Sequence, residues 1–151
     1  MNVRTELAPI PPDPVLVAEL STIADEIMAR LNSAKEYDSL VDRFNAIAAL
    51  PEPLTISDFE AFWESVETED FVRGVLCSYP NHHDDVTDAE YLEIIRTLRS
   101  GRVAEYEVGY WKTFIEINLR CRSITELLFR NRDLTDEEVL INARANRPIA
   151  L

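Results

Sequence analysis

The run VAEYEVGYWKTFIEINLRC, residues 103–121, decides whether the chain is all-helical. Read as a strand, it alternates apolar and polar residues from Ala104 but changes phase at Trp111. Read as a helix, it aligns apolar side chains three or four residues apart along its length, at Val103, Tyr106, Tyr110, Phe114 and Ile117. Because the helical pattern continues where the alternation fails, we predict a helix, with an apolar arc wide enough for a largely buried element.

Helix start signals are dense in the rest of the chain. A Ser or Thr followed three residues later by Glu forms a capping box, in which each side chain binds the other residue's free backbone N–H. Five such pairs precede or open apolar periodic runs: Ser33/Glu36, Ser57/Glu60, Thr87/Glu90, Ser123/Glu126 and Thr135/Glu138. With only three glycines in 151 residues, this density predicts an all-α fold.

The apolar periodicity predicts about six to eight helices, several of them short, in a single domain that spans residues 1–151. The periodicity predicts, in chain order, a helix that starts at Asp13 and Pro14, a second from Ser33 to Pro51, and two short helices after Ser57 that are separated by a bend near residue 67. It further predicts a helix from Thr87 to Gly101 and helix starts at Ser123 and Thr135. The ends, residues 1–12 and 146–151, contain proline and are predicted to be extended or loose.

The net charge of −13 is unevenly distributed. Residues 52–93 contain twelve Asp or Glu and one Arg, whereas residues 94–132 contain eight Lys or Arg and four acids. An acidic surface repels nucleic acid and anionic lipid, which require clustered positive charge, and attracts cationic partners. The charge pattern therefore disfavours nucleic-acid binding and favours a basic protein partner.

The chain contains no apolar run near the roughly 20 residues that span a bilayer, and residues 1–14 lack the apolar region of a signal peptide. We therefore expect a cytoplasmic protein with no membrane partner. Cys77 and Cys121 lie in helical patterns without metal-binding spacing and are predicted to be reduced thiols. Arginine outnumbers lysine by thirteen to two, which suggests a GC-rich bacterial genome.

The loop SYPNHHDDVTDAE, residues 78–90, holds both histidines of the chain, His82 and His83, followed by Asp84 and Asp85. These residue types can ligate a divalent metal, which makes a metal-dependent helical hydrolase the alternative function. Adjacent histidine side chains usually diverge, however, and the aspartates are explained by their position near the positive end of the helix predicted after Thr87. We therefore predict no metal, no cofactor and no catalytic residue.

These observations predict a non-enzymatic, acidic helical binding protein. The predicted role is that of an inhibitor or immunity protein that neutralises a basic partner, such as a toxin acting on nucleic acid, through the 52–93 segment. The predicted partner-binding residues are Asp58, Glu60, Glu64, Glu67, Glu69, Asp70, Tyr79, Asp84 and Asp85. A further alternative is a homodimeric structural module, in which the arginines of residues 94–132 meet the acidic segment of a second copy.

Overall fold

The computed structural model describes residues 1–33, 35–63, 66–130 and 132–145, apart from the side chain of Trp63. These residues form seven α-helices, a 3₁₀ helix and a π-helix, and none of them is in a strand. The α-helices are α1 (Pro14–Asn32), α2 (Asp38–Ala48), α3 (Ile56–Trp63), α4 (Thr68–Leu76), α5 (Asp88–Ser100), α6 (Glu105–Leu119) and α7 (Asp136–Ala145). The 3₁₀ helix is Thr5–Leu7 and the π-helix is Glu126–Arg130. The all-α prediction is confirmed, and so is the helical interpretation of residues 103–121.

Several predicted helix boundaries are confirmed in atomic detail. The Asp13 side chain accepts a hydrogen bond from the Val15 N–H at the start of α1. Both halves of the capping box between Thr87 and Glu90 are present at the start of α5. Gly101 ends the same helix with a φ of 70°, a left-handed conformation that glycine adopts without steric cost.

Two predicted capping boxes are wrong. Ser33 ends α1 instead of opening α2, because its backbone N–H and its hydroxyl both donate to the Ala29 carbonyl. Ser57 lies inside α3, since Thr55 and Asp58 form the contacts at this helix start, with the Thr55 N–H 2.8 Å from Asp58 Oδ2. The start of α3 is therefore capped two positions before Ser57, whereas α2 begins after Tyr37, which makes no side-chain capping bond.

Contacts divide the chain into two compact units. Unit 1 combines Met1–Ile10 with Ser78–Leu151, and unit 2 is the intervening Pro11–Cys77. The expectation of a single domain stays a prediction beside this division. No helix in the described part of the chain is long and apolar enough to cross a membrane.

Unit 2 is built on α1, which packs against α2, α3 and α4. Its core contains a group of phenylalanines from three helices. Phe44 meets Phe59 edge to face at 5.1 Å between ring centroids, and Phe62 stacks on Phe71 at 3.8 Å. These rings come from α2, α3 and α4, so aromatic packing joins the three shorter helices of the unit to one another.

Unit 1 is built on α5, which packs against α6, α7 and the π-helix. Trp111 and Phe114 of α6 are buried, with ring centroids 5.5 Å apart. The N-terminal segment belongs to this core, because Leu7 is fully buried and its carbonyl accepts a 2.6 Å hydrogen bond from the Tyr110 hydroxyl. Part of the segment that we expected to be extended or loose is therefore folded, while residues 146–151 lie outside the described residues.

We expect Ser21→Ala to raise the free energy of unfolding by about 1 kcal/mol. Ser21 lies in α1 with 7% of its surface exposed, and its hydroxyl makes no hydrogen bond with the described residues. A buried polar group without a partner is destabilising, and alanine has the higher helix propensity. Urea unfolding followed by circular dichroism measures the change. Ser57→Ala, at an exposed position in α3, is the control, and an equal gain in both variants would contradict the role of burial.

Candidate functional site

The residues predicted to bind a partner are divided between the two units. Unit 2 holds Asp58, Glu60, Glu67, Glu69 and Asp70. Unit 1 holds Tyr79, Asp84 and Asp85. Glu64 lies outside the described residues. The expectation that all of these residues form one surface therefore stays a prediction.

The acidic residues of α3 in unit 2 differ in what they contact. Asp58 accepts hydrogen bonds from the Thr55 N–H and hydroxyl, at 2.8 and 3.2 Å, so it stabilises the start of the helix. Glu60 is exposed, and its side chain makes no hydrogen bond or ion pair with the described residues. Glu60 is consequently the residue of this pair that is available to a partner.

An open groove of about 470 Å³ lies beside the start of α4. It is lined by Asp25, Glu67, Thr68, Glu69, Asp70 and Arg73. Arg73 pairs with Glu69 at 3.0 Å and with Asp70 at 3.3 Å. Glu67 is exposed at the N-cap of the helix and makes no side-chain capping bond. Three of the predicted residues are thus brought together, but two of them have an internal cation as partner.

Asp25 belongs to this groove and was not predicted from the sequence. It lies in α1, and its carboxylate Oδ1 accepts a 2.6 Å hydrogen bond from the Thr68 hydroxyl of α4. The only sequence signal was that Asp25 lies off the apolar stripe of α1. That signal does not reveal which neighbouring helix the carboxylate meets, because 43 residues separate it from Thr68.

The charge of unit 2 is largely uncompensated within the unit. Its sequence carries fourteen Asp or Glu and four Lys or Arg, a net charge of −10. Among its described residues, ion pairs are confined to Arg30 with Glu26 and to Arg73 with Glu69 and Asp70. Most of its carboxylates therefore face solvent without a cation beside them.

Unit 1 carries almost as many cations as acids, with eleven Lys or Arg and fourteen Asp or Glu. Its ion pairs include Arg96 with Glu93 at 2.7 Å, Arg99 with Asp136 at 3.0 Å, and Arg144 with Asp88. Arg144 also lies over the ring of Tyr91, at 5.8 Å from the centroid. Three of the seven arginines of residues 94–132 are thus paired inside unit 1, since Arg130 also pairs with Glu126 at 2.9 Å. The arginines of that segment without an ion pair to a described residue are Arg102, Arg120, Arg122 and Arg132.

The histidine-containing loop is held by Asn118 of α6. The His83 N–H donates to Asn118 Oδ1 at 2.6 Å, and Asn118 Nδ2 donates to the Asn81 carbonyl at 3.3 Å. The imidazoles have different surroundings, since His82 Nδ1 lies 3.4 Å from Asp84 Oδ1 and His83 lies beside Phe114. No group of three or more His, Cys, Asp or Glu in the described ranges is arranged to hold a metal ion.

The members of the predicted set in unit 1, Tyr79, Asp84 and Asp85, are all exposed, but their contacts differ. Tyr79 is 75% exposed and the Asp84 side chain is 95% exposed. Asp85 instead accepts a 2.7 Å hydrogen bond from Arg4 Nη1, which lowers the pKa of its carboxyl. Asp85 therefore has a structural contact within unit 1.

The most strongly bound carboxylate in this region is Glu90, which the sequence indicated only as a helix cap. Arg4 donates to it from Nε at 2.9 Å and from Nη2 at 3.1 Å, in the two-pronged geometry that suits a guanidinium and a carboxylate. These hydrogen bonds, with those of Thr87, lower the pKa of Glu90 to about 2 even though the residue is buried. Arg4 thereby ties the N-terminal segment to the start of α5.

Cys121 lacks the surroundings of a reactive thiol. Neither cysteine is in a disulfide, and Cys121 is buried whereas Cys77 is half-buried. Burial raises the pKa of Cys121 to about 11, and the nearby Glu116 carboxylate adds to the effect. Cys121 is therefore protonated at neutral pH, and a protonated thiol is a poor nucleophile.

No family model, no curated protein and no solved structure matches the chain.

We expect Glu90→Gln to lower the free energy of unfolding at pH 7 and to lose this effect as the pH falls toward 2. The carboxyl titrates near its ordinary pKa of 4.5 in the unfolded chain and at about 2 in the folded protein. Its stabilising contribution is therefore complete above about pH 5 and disappears between these two values. Urea unfolding at pH 7, 5, 4, 3 and 2 measures the difference. Glu137→Gln, at an exposed carboxylate of α7, is the control, and parallel pH profiles for wild type and Glu90→Gln would contradict the assignment.

Proposed function

We propose that this protein is a non-enzymatic, acidic helical binding protein whose unit 2 engages a basic surface of a partner protein. A biological role that fits is that of an inhibitor or immunity protein, which covers the cationic site of a toxin. Such a site is expected in a toxin that binds nucleic acid, because phosphate backbones are held by clustered Lys and Arg.

The observation that supports this proposal most directly is the contrast between the two units. Unit 1 pairs much of its charge internally, whereas unit 2 has a net charge of −10 and few internal ion pairs. Unpaired like charges on one small unit repel each other and reduce its stability. A cationic partner would relieve that repulsion, so the same charges that weaken the free unit would strengthen the complex.

The carboxylates best suited to contact the partner are those without a structural partner of their own. Glu60 and Glu67 are exposed and make no side-chain hydrogen bond with the described residues, whereas Asp58 and Asp70 are engaged by Thr55 and Arg73. Exposed acids can change partner without breaking the fold. We therefore assign Glu60 and Glu67 the larger share of the electrostatic attraction.

Long-range attraction of this kind mainly increases the rate of association and is sensitive to salt. The screening length falls from about 10 Å at 0.1 M salt to about 3 Å at 1 M salt. The complex should therefore form fastest at low ionic strength. A partner held chiefly by apolar contacts would show little dependence on salt.

We expect the double variant Glu60→Lys/Glu67→Lys to bind the partner at least tenfold more weakly and to keep its fold. The wild-type protein is immobilised, lysate of the organism that encodes it is passed over at low salt, and the protein released at about 1 M salt is identified and purified. Affinity of that partner for each variant is then measured by calorimetry. Circular dichroism and the thermal midpoint report whether the fold persists.

The matched control is Glu105→Lys/Glu137→Lys, which makes the same change in total charge at exposed first-turn positions of α6 and α7 in unit 1. Retained binding by the control with loss in the Glu60 and Glu67 variant supports a surface on unit 2. Equal loss in both would show that only the net charge matters. Unchanged binding in both would overturn the acidic-surface proposal.

A second candidate is self-association, in which the acidic unit of one copy meets the cations of another. The observation in its favour is that Arg102, Arg120, Arg122 and Arg132 make no ion pair with a described residue of their own chain. Sedimentation equilibrium at low and high salt distinguishes this candidate from the first. A dimer that dissociates as salt is added supports self-association, and a monomer at all salt concentrations removes it.

A further inference from the structure

A groove on unit 1 stands out because the described residues that line it include no carboxylate, in a protein whose net charge is −13. It is lined by Arg99, Leu128, Phe129 and Arg132, and its volume is about 360 Å³. Small-molecule sites commonly occupy 300 to 1,000 Å³, roughly, so the groove is large enough for a single ring system.

One side of the groove is a fixed guanidinium. The Arg99 side chain is only 17% exposed, and its Nη1 donates to the Leu134 carbonyl at 2.8 Å and to Asp136 Oδ1 at 3.0 Å. Its Nη2 donates to the Arg132 carbonyl at 3.3 Å, which places the backbone of Arg132 beside it. These bonds hold the Arg99 guanidinium in place, so this part of the groove does not have to be ordered by a ligand.

The side chains at the groove have one positive charge that is not balanced within the protein. Asp136 compensates Arg99, whereas Arg132 is exposed and has no ion pair with any described residue. The three side chains together therefore carry a net charge of +1. A monoanion would balance that charge, while a phosphate dianion would exceed it.

The apolar residues that line the groove belong to the π-helix Glu126–Arg130. Leu128 is buried there, and the adjacent Phe129 is 38% exposed, among the large apolar side chains that unit 1 leaves in water. Single-turn π-helices are rare and occur often at functional sites. An exposed phenyl ring beside a cation is suited to a ligand that has a flat apolar face and a negative group at its edge.

From this geometry we propose that the groove binds a small aromatic carboxylate, with its ring on Phe129 and its carboxylate toward Arg132. Leu128 forms the apolar floor, and Arg99 holds the Arg132 backbone in position. The site lies wholly within unit 1 and is independent of the acidic surface of unit 2. Failure of either proposal leaves the other intact.

The test uses naphthalene-2-carboxylate as the probe, titrated into the full-length protein by calorimetry and by ¹H–¹⁵N NMR. Two further compounds separate the two halves of the proposal: acetate carries the charge without the ring, and naphthalene-2-carboxamide carries the ring without the charge. We expect the carboxylate to bind at least tenfold more tightly than either. Equal binding of the amide, equal binding of acetate, or no binding of the carboxylate up to about 10 mM would overturn the proposal.

Substitutions locate the site. We expect Arg132→Gln and Phe129→Ala each to weaken binding of the probe at least fivefold, because the first removes the unpaired charge and the second the exposed ring. Arg122→Gln, at another exposed arginine without an ion pair to a described residue, should change binding less than twofold. Thermal midpoints verify that each variant is folded. Arg132→Gln replaces an exposed side chain, so it remains informative if Phe129→Ala is destabilised, and wild-type affinity in Arg132→Gln would refute the assignment.

Discussion

The bond between Arg4 and Glu90 is the interaction on which the assembly of unit 1 depends. Unit 1 consists of two pieces of chain separated by the whole of unit 2, so its N-terminal piece must be held by contacts distant in sequence. Arg4 supplies one contact through Glu90, and the buried Leu7 supplies another, because its carbonyl accepts a hydrogen bond from the Tyr110 hydroxyl. Closing so long a loop has an entropic cost, and these two contacts offset it.

Glu90 has two structural roles at once. It completes the capping box with Thr87 at the start of α5, and it accepts the guanidinium of Arg4. The helix on which α6, α7 and the π-helix pack is thus fixed at its first turn by the same carboxylate that holds the N-terminus. Sequence spacing revealed the first role, because a capping box is local. The second depends on a residue 86 positions away and has no local signal.

The same distinction explains how much of the molecule the sequence could predict. Helix periodicity and caps are local, and they correctly placed α1 behind Asp13, α5 between Thr87 and Gly101, and a helix in 103–121. The prediction at Ser33 was wrong because this serine satisfies the end of the preceding helix, and the one at Ser57 because Thr55 and Asp58 form the contacts at the start of α3. Charge runs predicted an acidic segment, but the internal contacts of each carboxylate decide which of them are available. Asp70 pairs with Arg73 three residues further along the same helix, a spacing that the sequence shows, whereas the cation beside Asp85 is Arg4, 81 residues away, which no local spacing reveals.

The order of the two units along the chain has a consequence for how such a protein can change over evolutionary time. The chain leaves unit 1 after Ile10 and returns at Ser78, and the Ile10 N–H lies 3.3 Å from the Ser78 hydroxyl oxygen. A segment whose two ends emerge at neighbouring points can be exchanged, lengthened or lost with little disturbance to its host. Recombination at these two boundaries could therefore replace unit 2 by segments of different charge while unit 1 stays unchanged.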